Sequence, residues 1–133
     1  MLLVKTFVAP AGDKGLGLFA DEPIPKGSVW WKHDINFDKV LTEEELLDLP
    51  MVPYGIIKDR YAYLQRDGTW YLCVDDARFV NHSDNPNTDE VIDVDCSIFD
   101  IALKDIAIGE EITCDYRKLC GTCKDGLTFD NKE

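Results

Sequence analysis

Short apolar stretches separated by turn-forming residues run along most of the chain, and this pattern predicts a protein made mainly of β-strands. Each stretch is enriched in β-branched and aromatic side chains, which suit a pleated surface. Strands are predicted over residues 3–8, the end of 12–20, 28–33, 61–65, 69–74, 88–94, 96–103 and 111–115. Within 97–103, the alternation of Phe99, Ile101 and Leu103 predicts that these three side chains form the buried face.

Two local signals refine this pattern. Thr42 and Glu45 have the spacing of a capping box, so a short helix is predicted to begin there and to end at Pro50. Arg66, Asp67 and Gly68 separate two apolar runs and predict a β-hairpin. Many short strands with one brief helix indicate a compact, mostly β domain and not a parallel α/β sheet.

The most unusual stretch lies at residues 78–87. It contains four Asn or Asp side chains and one Pro between Asn81 and Asn87, a composition that favours turns over regular helix or strand. Phe79 and Val80 precede it, and such an apolar approach indicates that irregular backbone enters the interior, where polar side chains must satisfy its N–H and C=O groups. Taken alone, however, the segment is more typical of a polar surface turn.

Length and charge limit the classes of function. A chain of 133 residues is long enough for one domain with one core. The formal net charge of −12 argues against binding to nucleic acid, which normally requires a basic patch. It favours a basic protein or peptide as partner, attracted by the acidic surface. Solubility explains the same charge equally well.

An intracellular protein is predicted from the termini and the cysteines. Residues 1–7 lack the basic region and cleavage site of a signal peptide, and no apolar run approaches the length of a membrane span. Five cysteines are present. An odd number without an export signal favours reduced thiols in the cytoplasm or nucleus.

Three stretches of the sequence carry distinctive motifs. The first is Lys-Gly-Leu-Gly-Leu-Phe-Ala at residues 14–20, and the second is Arg-Phe-Val-Asn-His-Ser at 78–83 with Pro86 and Asn87. The third is Asp-Ile-Ala-Ile-Gly-Glu-Glu-Ile-Thr-Cys-Asp-Tyr at 105–116. Taken together and in this order, they resemble the signature segments of SET-domain protein lysine methyltransferases. Each segment alone is weak, since a Gly-x-Gly commonly just permits a tight turn. The resemblance extends over residues 3–116.

This resemblance implies a fold of several small β-sheets around a pseudoknot, with one or two short helices. Residues 1–116 would form the SET domain, with a variable insert at about 35–70 that helps to form the substrate groove. Residues 117–133 would be a C-terminal tail that completes the active site. Arg78 would brace the pseudoknot.

The resemblance also implies S-adenosylmethionine as cofactor and a lysine in a basic protein or peptide, such as a histone, as substrate. Tyr116 would be the catalytic residue, orienting the target amine. The implied cofactor-binding residues are Lys14, Gly15, Leu16, Gly17, Asn81, His82, Tyr116 and Phe129. The implied substrate channel contains Tyr54, Tyr63, Tyr71 and Cys114, and Tyr61 and Trp70 are further candidates for its walls. Ordinary core packing is the competing explanation for most of these aromatic residues.

The chain departs from the family at its cysteines. Many relatives have a Cys directly after Asn-His-Ser, and it joins three tail cysteines around zinc; this chain has Asp84 there and only Cys120 and Cys123 in the tail. Two thiolates do not complete a structural zinc site, so no metal is predicted. A dithiol–disulfide pair is the other reading of these two cysteines. The apolar Phe129 and Leu127 would cover the cofactor instead, unless the tail docks only when ligands bind.

Two functions from different classes remain at this stage. The first is a methyltransferase that acts on lysine. The second is a catalytically silent SET module that serves as a peptide-binding or assembly unit. Silent members often lose either the Asn-His pair or the final tyrosine, and this chain keeps Asn81, His82 and Tyr116. The sequence therefore favours the enzyme.

Overall fold

The structure, a computed structural model, describes residues 1–95 and 97–119. Within these residues the chain forms two short α-helices, α1 (Glu43–Leu47) and α2 (Met51–Ile56), the second continued by a π-helical turn at Ile57–Tyr61. Single 3-10 turns occur at Gly12–Lys14, Asp76–Phe79 and Tyr116–Lys118. The strands are β1 (Thr6–Pro10), β2 (Leu16–Ala20), β3 (Val29–Lys32), β4 (Lys39–Leu41), β5 (Ala62–Leu64), β6 (Trp70–Leu72), β7 (Asn81–His82), β8 (Thr88–Ile92), β9 (Ile98–Ala102) and β10 (Glu111–Cys114).

The strands of the described residues form three small sheets, with the orders β1-β2-β10-β7, β3-β9-β8 and β4-β6-β5. The predicted class is confirmed: the protein is mostly β, with several small sheets and short helices. The predicted hairpin around residues 66–68 is also present, because β5 pairs antiparallel with β6.

Strand β10 lies between two segments that are far from it in sequence. It pairs antiparallel with β2 and parallel with β7, where Thr113 faces Asn81 and Cys114 faces His82. A parallel pair cannot be closed by a tight turn, so the chain must return by a long route before β10 can form. The prediction that Asn81 and His82 lie in irregular backbone is therefore wrong at that point, since these residues form a short strand.

The helical region is longer than predicted. The capping box is present: the N–H of Glu45 donates to the Thr42 hydroxyl at 3.1 Å, and the N–H of Thr42 donates to the Glu45 carboxylate at 2.8 Å. Helix α1 ends before Pro50, as predicted. Pro50 then directly precedes α2, because its fixed φ suits the start of a helix as well as the end of one.

The predicted buried face of β9 is wrong. Ile98 and Ala102 are the buried apolar residues, with 4% and 1% exposure, whereas Leu103 is 39% exposed. Asp100 lies on the same face as Ile98 and Ala102 because alternate residues of a strand share a face. Because the acidic Asp100 occupies the inward face, the alternation of apolar residues in the sequence indicated the wrong face as buried.

The core supports the sheet that contains β10. Leu18 and Ile112 are fully buried on β2 and β10, and Trp30, Ile24 and Ile106 are buried beside them. Each such side chain contributes roughly 1.5–3 kcal/mol by burial. The two motif-bearing strands β2 and β10 are therefore anchored in the hydrophobic core.

Candidate active site

Tyr116 lies two residues after the end of β10 and is fixed by two long-range hydrogen bonds. Its hydroxyl donates to the Val80 carbonyl oxygen at 2.5 Å, and its backbone N–H donates to His82 Nδ1 at 3.1 Å. Burial raises the pKa of the Tyr116 hydroxyl to about 12. The phenol is therefore protonated at neutral pH and can act as a hydrogen-bond donor, but not as a phenolate base.

Asn87 holds the strand that presents Tyr116. Its side-chain Nδ2 donates to the Glu111 carbonyl at 2.7 Å, and its Oδ1 accepts from the Thr113 N–H at 2.8 Å. Thr88 adds a third bond, from its hydroxyl to the Thr113 carbonyl at 2.7 Å. The sequence analysis placed Asn87 in a motif but gave it no role. The feature that indicates such a role is an Asn directly after a Pro at the end of an irregular segment.

Asn81 and the glycine-rich turn meet at the edge of the same sheet. Asn81 Nδ2 donates to the Leu16 carbonyl at 3.0 Å and to the Glu111 carboxylate at 2.9 Å. A Cβ at Gly17 would lie 2.8 Å from both the Ala11 Cβ and the Glu111 carboxylate, so this close approach requires glycine. The Lys14 ammonium lies 3.7 Å from the Glu111 carboxylate. Lys14, Leu16, Gly17 and Asn81 thus lie close together, and their binding of a cofactor stays a prediction.

Gly15 also belongs to this turn, with a φ of +84°. That left-handed conformation disfavours any residue with a Cβ, although open space surrounds the position itself. Its role is to shape the turn and to leave bare backbone at the surface of the site.

His82 lies beside Tyr116 among charged groups. Its Nδ1 accepts the Tyr116 N–H, and its Nε2 lies 3.2 Å from the Asp84 carboxylate. Asp84 also contacts the Arg117 guanidinium at 3.0 Å, and Arg117 in turn bonds Asp115. Hydrogen bonds from Arg117 lower the pKa of Asp115 to about 2. Asp84, the residue that replaces the cysteine of many relatives, therefore takes part in an exposed ion pair.

Three of the predicted channel residues, Tyr63, Tyr71 and Cys114, line one cavity of about 60 Å³. The Tyr63 ring lies 5.4 Å from the Tyr116 ring, edge to face, and the Tyr63 hydroxyl also reaches the Val80 carbonyl at 3.2 Å. Burial raises the pKa values of Tyr63 and Cys114, so both groups stay protonated. The remaining lining residues are Trp30, Trp31, Gln65, Cys73, Ala77, Val80, Glu90, Ile98, Asp100 and Leu119.

Tyr54 lies apart from this cavity. Its hydroxyl donates to Glu43 at 2.9 Å and accepts from Lys58 at 2.8 Å, and Lys58 stacks over the Trp70 ring. Tyr61 likewise faces the Arg78 guanidinium, 5.0 Å from the ring centre. These aromatic residues support the insert and the turn before β7, as the core-packing explanation expected for most of them.

The last predicted cofactor residue, Phe129, lies outside the described residues, as do Leu127, Cys120 and Cys123. Within residues 1–95 and 97–119, no group of three His, Cys, Asp or Glu side chains is arranged to hold a metal ion. The absence of zinc in the tail stays a prediction. In the same described residues, no helix is both long and apolar enough to cross a membrane.

The geometry defines a class of protein: a small, multi-sheet domain in which a glycine turn, an Asn-His strand and a partly exposed tyrosine converge beside an aromatic cavity. The family model of the SET domain matches residues 15–117. The chain therefore belongs to the SET-domain family, as its three motifs predicted. No curated protein matches the sequence at a significant level.

Solved structures with the same fold include chains of polycomb repressive complex 2. The chain is similar to one in an active polycomb repressive complex 2 in its basal state, with 22% identity and a TM-score of 0.64 over 85% of this chain. A Chaetomium thermophilum polycomb repressive complex 2 gives 22% identity, a TM-score of 0.65 and 85% coverage. The aligned region spans only 15% and 16% of those two chains.

A Plasmodium falciparum protein assigned as a histone methyltransferase is closer in length. It has 21% identity and a TM-score of 0.59, and the alignment covers 86% of this chain and 95% of that one. At this level of identity, the likenesses establish a shared fold.

Proposed function

We propose that this protein transfers a methyl group from S-adenosylmethionine to the side-chain amine of a lysine in a basic protein segment, such as a histone. The observation that carries the proposal is the position of the Tyr116 hydroxyl. It donates to the carbonyl of Val80, which lines the cavity and directly precedes Asn81, and the Tyr116 ring packs against Tyr63 of the same cavity. A donor site and an acceptor site would therefore meet at one protonated phenol.

The residues around Asn81 fit the amino-acid end of the methyl donor. Asn81 Oδ1 accepts no hydrogen bond from the described part of the chain, and the Glu111 carboxylate lies beside it. These oxygens suit the ligand's ammonium group, while the Lys14 ammonium suits its carboxylate. When bound, S-adenosylmethionine supplies an activated methyl group on a sulfonium. The chain's own residues hold the ligand and orient the amine.

The target amine must be neutral when it reacts. A free lysine has a pKa near ~10.4, so an apolar aromatic channel is needed to favour the uncharged form by desolvation. Tyr63 and Cys114 supply such surroundings, because both stay protonated and Tyr63 is largely buried. Tyr116, also protonated, would accept the amine N–H and fix its approach, a positioning role that supplies much of the rate in such reactions.

A basic substrate agrees with the charge of the chain. The net charge of −12 attracts cationic segments over long range. The Plasmodium falciparum protein of similar length is itself assigned as a histone methyltransferase. We retain the tail at residues 117–133 as the proposed cover of the site, since Leu119 at its described end already lines the cavity. An intracellular location follows from such a substrate.

The competing function, a silent SET module, is less well supported. A silent scaffold has no need for a hydroxyl held at a carbonyl next to an aromatic cavity. Two hydrogen bonds fix Tyr116 to Val80 and His82, and a scaffold role would not require them.

The direct test is incubation with radiolabelled S-adenosylmethionine and a panel of basic proteins that includes histones. We expect labelled lysine in at least one basic protein and none in acidic controls. Absence of transfer together with absence of donor binding at millimolar concentration would exclude the enzyme.

Gly17→Ala is expected to weaken binding of the donor or of its demethylated product by about tenfold or more. The added methyl group would meet the Ala11 Cβ and the Glu111 carboxylate at 2.8 Å and would displace the Asn81 amide, 3.0 Å away. Calorimetric titration measures the effect. Gly55→Ala is the matched control, because nothing lies within 4 Å of its Cβ position. Equal affinity of the two variants would show that the glycine turn does not contact the ligand.

Cys114→Tyr is expected to shift the product toward monomethyl-lysine. Cys114 lines the cavity beside Tyr63. A small side chain there leaves room for a methylated amine to rotate after the first transfer, so we expect the wild type to add more than one methyl group. Mass spectrometry of the product measures this, with Cys114→Ser as a control of unchanged size. Purely monomethylated product from the wild type after long incubation would contradict the prediction.

A further inference from the structure

The cavity beside Tyr116 contains a carboxyl group to which the proposed function gives no role. Asp100 lies on the central strand β9, opposite Glu90 on β8 and Trp31 on β3, and it lines the cavity. Its Oδ1 atom is shielded from solvent and has no hydrogen-bond partner among the described residues. Buried polar atoms are normally satisfied, so a carboxyl oxygen left unsatisfied at a cavity indicates a ligand that completes it.

The reacting amine and Asp100 would share a small space. The cavity volume of about 60 Å³ holds a group of a few heavy atoms. Tyr63 lines the cavity and packs edge to face on Tyr116, with ring centres 5.4 Å apart, and Cys114 lines it two residues before Tyr116. An amine that enters this cavity toward Tyr116 therefore passes along the wall that carries Asp100.

A lysine that enters the cavity has to lose a proton before it can react. Its amine has a pKa near ~10.4 in water, so the side chain arrives as an ammonium at neutral pH. Only the neutral amine has a lone pair with which to attack a methyl group. Desolvation by the apolar rings weakens the binding of the proton to the amine, but it supplies no group that accepts the proton.

The hydroxyl and thiol groups around the cavity are poor proton acceptors. Burial raises the pKa of Tyr116 to about 12 and also raises the pKa values of Tyr63 and Cys114, so all three groups are protonated at neutral pH. Burial has the same effect on the pKa values of Tyr71 and Cys73. The other titratable groups among the described lining residues are two carboxyl groups, one on β8 and one on β9.

The surroundings of Asp100 suit a proton acceptor. Burial raises the pKa of Asp100, and repulsion from Glu90 and Asp89 raises it further, while the amino-terminal ammonium acts in the opposite direction. Burial lowers the pKa of a lysine, so the pKa values of the two groups approach each other in the cavity. A general base is most effective when its pKa lies near the operating pH.

We propose that Asp100 is the proton acceptor of the methyl-transfer reaction, and that its carboxylate takes one proton from the ammonium of the bound lysine. The inference rests on the proposed function, because it assigns a role in that reaction. The lone pair of the amine then forms the new nitrogen–carbon bond, and the electron pair of the broken carbon–sulfur bond stays on the sulfur. The product is a methylated ammonium, and Asp100 returns its proton to water when the product leaves.

Asp100→Asn removes the acceptor and keeps the shape of the side chain. We expect the single-turnover rate of methyl transfer to fall about 100-fold near neutral pH, a usual contribution of a general base. The loss should shrink to within about threefold in solutions alkaline enough to deprotonate the lysine directly, because no acceptor is then needed. The pH profile therefore moves to higher pH, whereas loss of amine orientation alone would lower the rate equally at every pH. Identical profiles of the wild type and Asp100→Asn would overturn the proposal.

Asp95→Asn is the matched control, because Asp95 is exposed in the turn between β8 and β9 and does not line the cavity. We expect it to keep the wild-type profile. Both variants should bind S-adenosylhomocysteine with the wild-type affinity, which shows that a loss of rate in Asp100→Asn does not come from the donor site.

Glu90→Gln distinguishes the two carboxyl groups of the cavity. The charge of Glu90 raises the pKa of Asp100, so its removal should lower that pKa and move the rise of activity to lower pH. If Glu90 were the acceptor, Glu90→Gln would instead lose activity near neutral pH and recover it in alkaline solution. That result would assign the proton to Glu90 and overturn the role of Asp100.

Infrared difference spectroscopy tests the proton transfer in the wild-type protein without turnover. A lysine peptide is added to the complex with S-adenosylhomocysteine, which has no methyl group to transfer, at a pH at which Asp100 is ionised in the peptide-free protein. We expect a carboxylate band to be replaced by the band of a protonated carboxyl group. A norleucine peptide, which lacks the amine, should cause no such change. An unchanged carboxylate band with the lysine peptide would overturn the proposal even if no variant of Asp100 folds.

The two proposals fail in different ways. If the wild type transfers methyl groups and Asp100→Asn has the same pH profile, only the role of Asp100 is refuted. If the infrared change occurs but no basic protein is methylated, Asp100 still accepts the proton of a bound lysine and the enzymatic function is refuted.

Discussion

Replacing Tyr116 by Phe is expected to lower the rate of methyl transfer by about 100-fold or more, the usual cost of losing one preorganised polar group at a reacting centre. The hydroxyl contacts the Val80 carbonyl and lies next to Tyr63, where the amine would be held. The backbone N–H of residue 116 still donates to His82 in the variant, so the turn after β10 should persist. We therefore expect an unchanged fold, nearly unchanged donor binding and a large loss of turnover.

Single-turnover kinetics with saturating donor measure this loss directly. Tyr61→Phe is the matched control, since it also removes one phenolic hydroxyl but changes a ring that faces the Arg78 guanidinium. Activity of Tyr116→Phe within threefold of the control would show that the hydroxyl does not act in the reaction. Calorimetric titration of the donor separates a chemical defect from a binding defect.

The pH dependence gives an independent check on the role of Tyr116. Its pKa of about 12 keeps the phenol protonated through the range in which enzymes are usually assayed. The rate should rise with pH as the lysine amine loses its proton, and Tyr116→Phe should lower the whole profile without changing its shape. A limb of the wild-type profile below pH ~10 that disappears in Tyr116→Phe would instead identify the tyrosine as a base.

The sequence predicted the parts of the site that depend on local chemistry. The capping box of Thr42 and Glu45 forms as expected, because both of its bonds join residues three apart. The glycine turn, the Asn-His pair and Tyr116 were recognised together. Strand β10 pairs with the strands that follow the glycine turn and carry the Asn-His pair, and Tyr116 lies in the turn after β10. Such motifs can be read from sequence because each requires particular residue types at fixed spacing.

Features set by tertiary packing were missed. The buried face of β9 was assigned wrongly, since Asp100 occupies an inward position that the alternation of apolar residues marked as outward. Tyr54 is an aromatic residue of the type expected in a channel wall, yet its hydroxyl forms hydrogen bonds with Glu43 and Lys58 instead. Neither placement is encoded in adjacent residues. The first follows from the pairing of β9 with β3 and β8, and the second from the hydrogen bonds that join Tyr54 to α1 and to the π-helical turn.

Asn87→Ala is expected to lower the free energy of unfolding by roughly 2–4 kcal/mol, because it leaves two buried backbone groups without partners. Those groups are the Glu111 carbonyl and the Thr113 N–H, at 2.7 Å and 2.8 Å from the Asn87 side chain, which is itself only 4% exposed. Such a loss is a large part of the 5–15 kcal/mol that usually stabilises a domain.

The same change should also reduce methyl transfer, because β10 carries the residues that lead into Tyr116. Urea unfolding followed by tryptophan fluorescence measures the stability, and activity is assayed at a temperature at which the variant remains folded. Asn85→Ala is the matched control two residues earlier, where the side chain is exposed and the backbone N–H bonds Ser83. We expect that control to change stability by less than about 0.5 kcal/mol. Equal stability of the two variants would mean that Thr88 and the neighbouring strands alone hold β10 in place. The side chain of Asn87 would then not contribute to the stability of this strand.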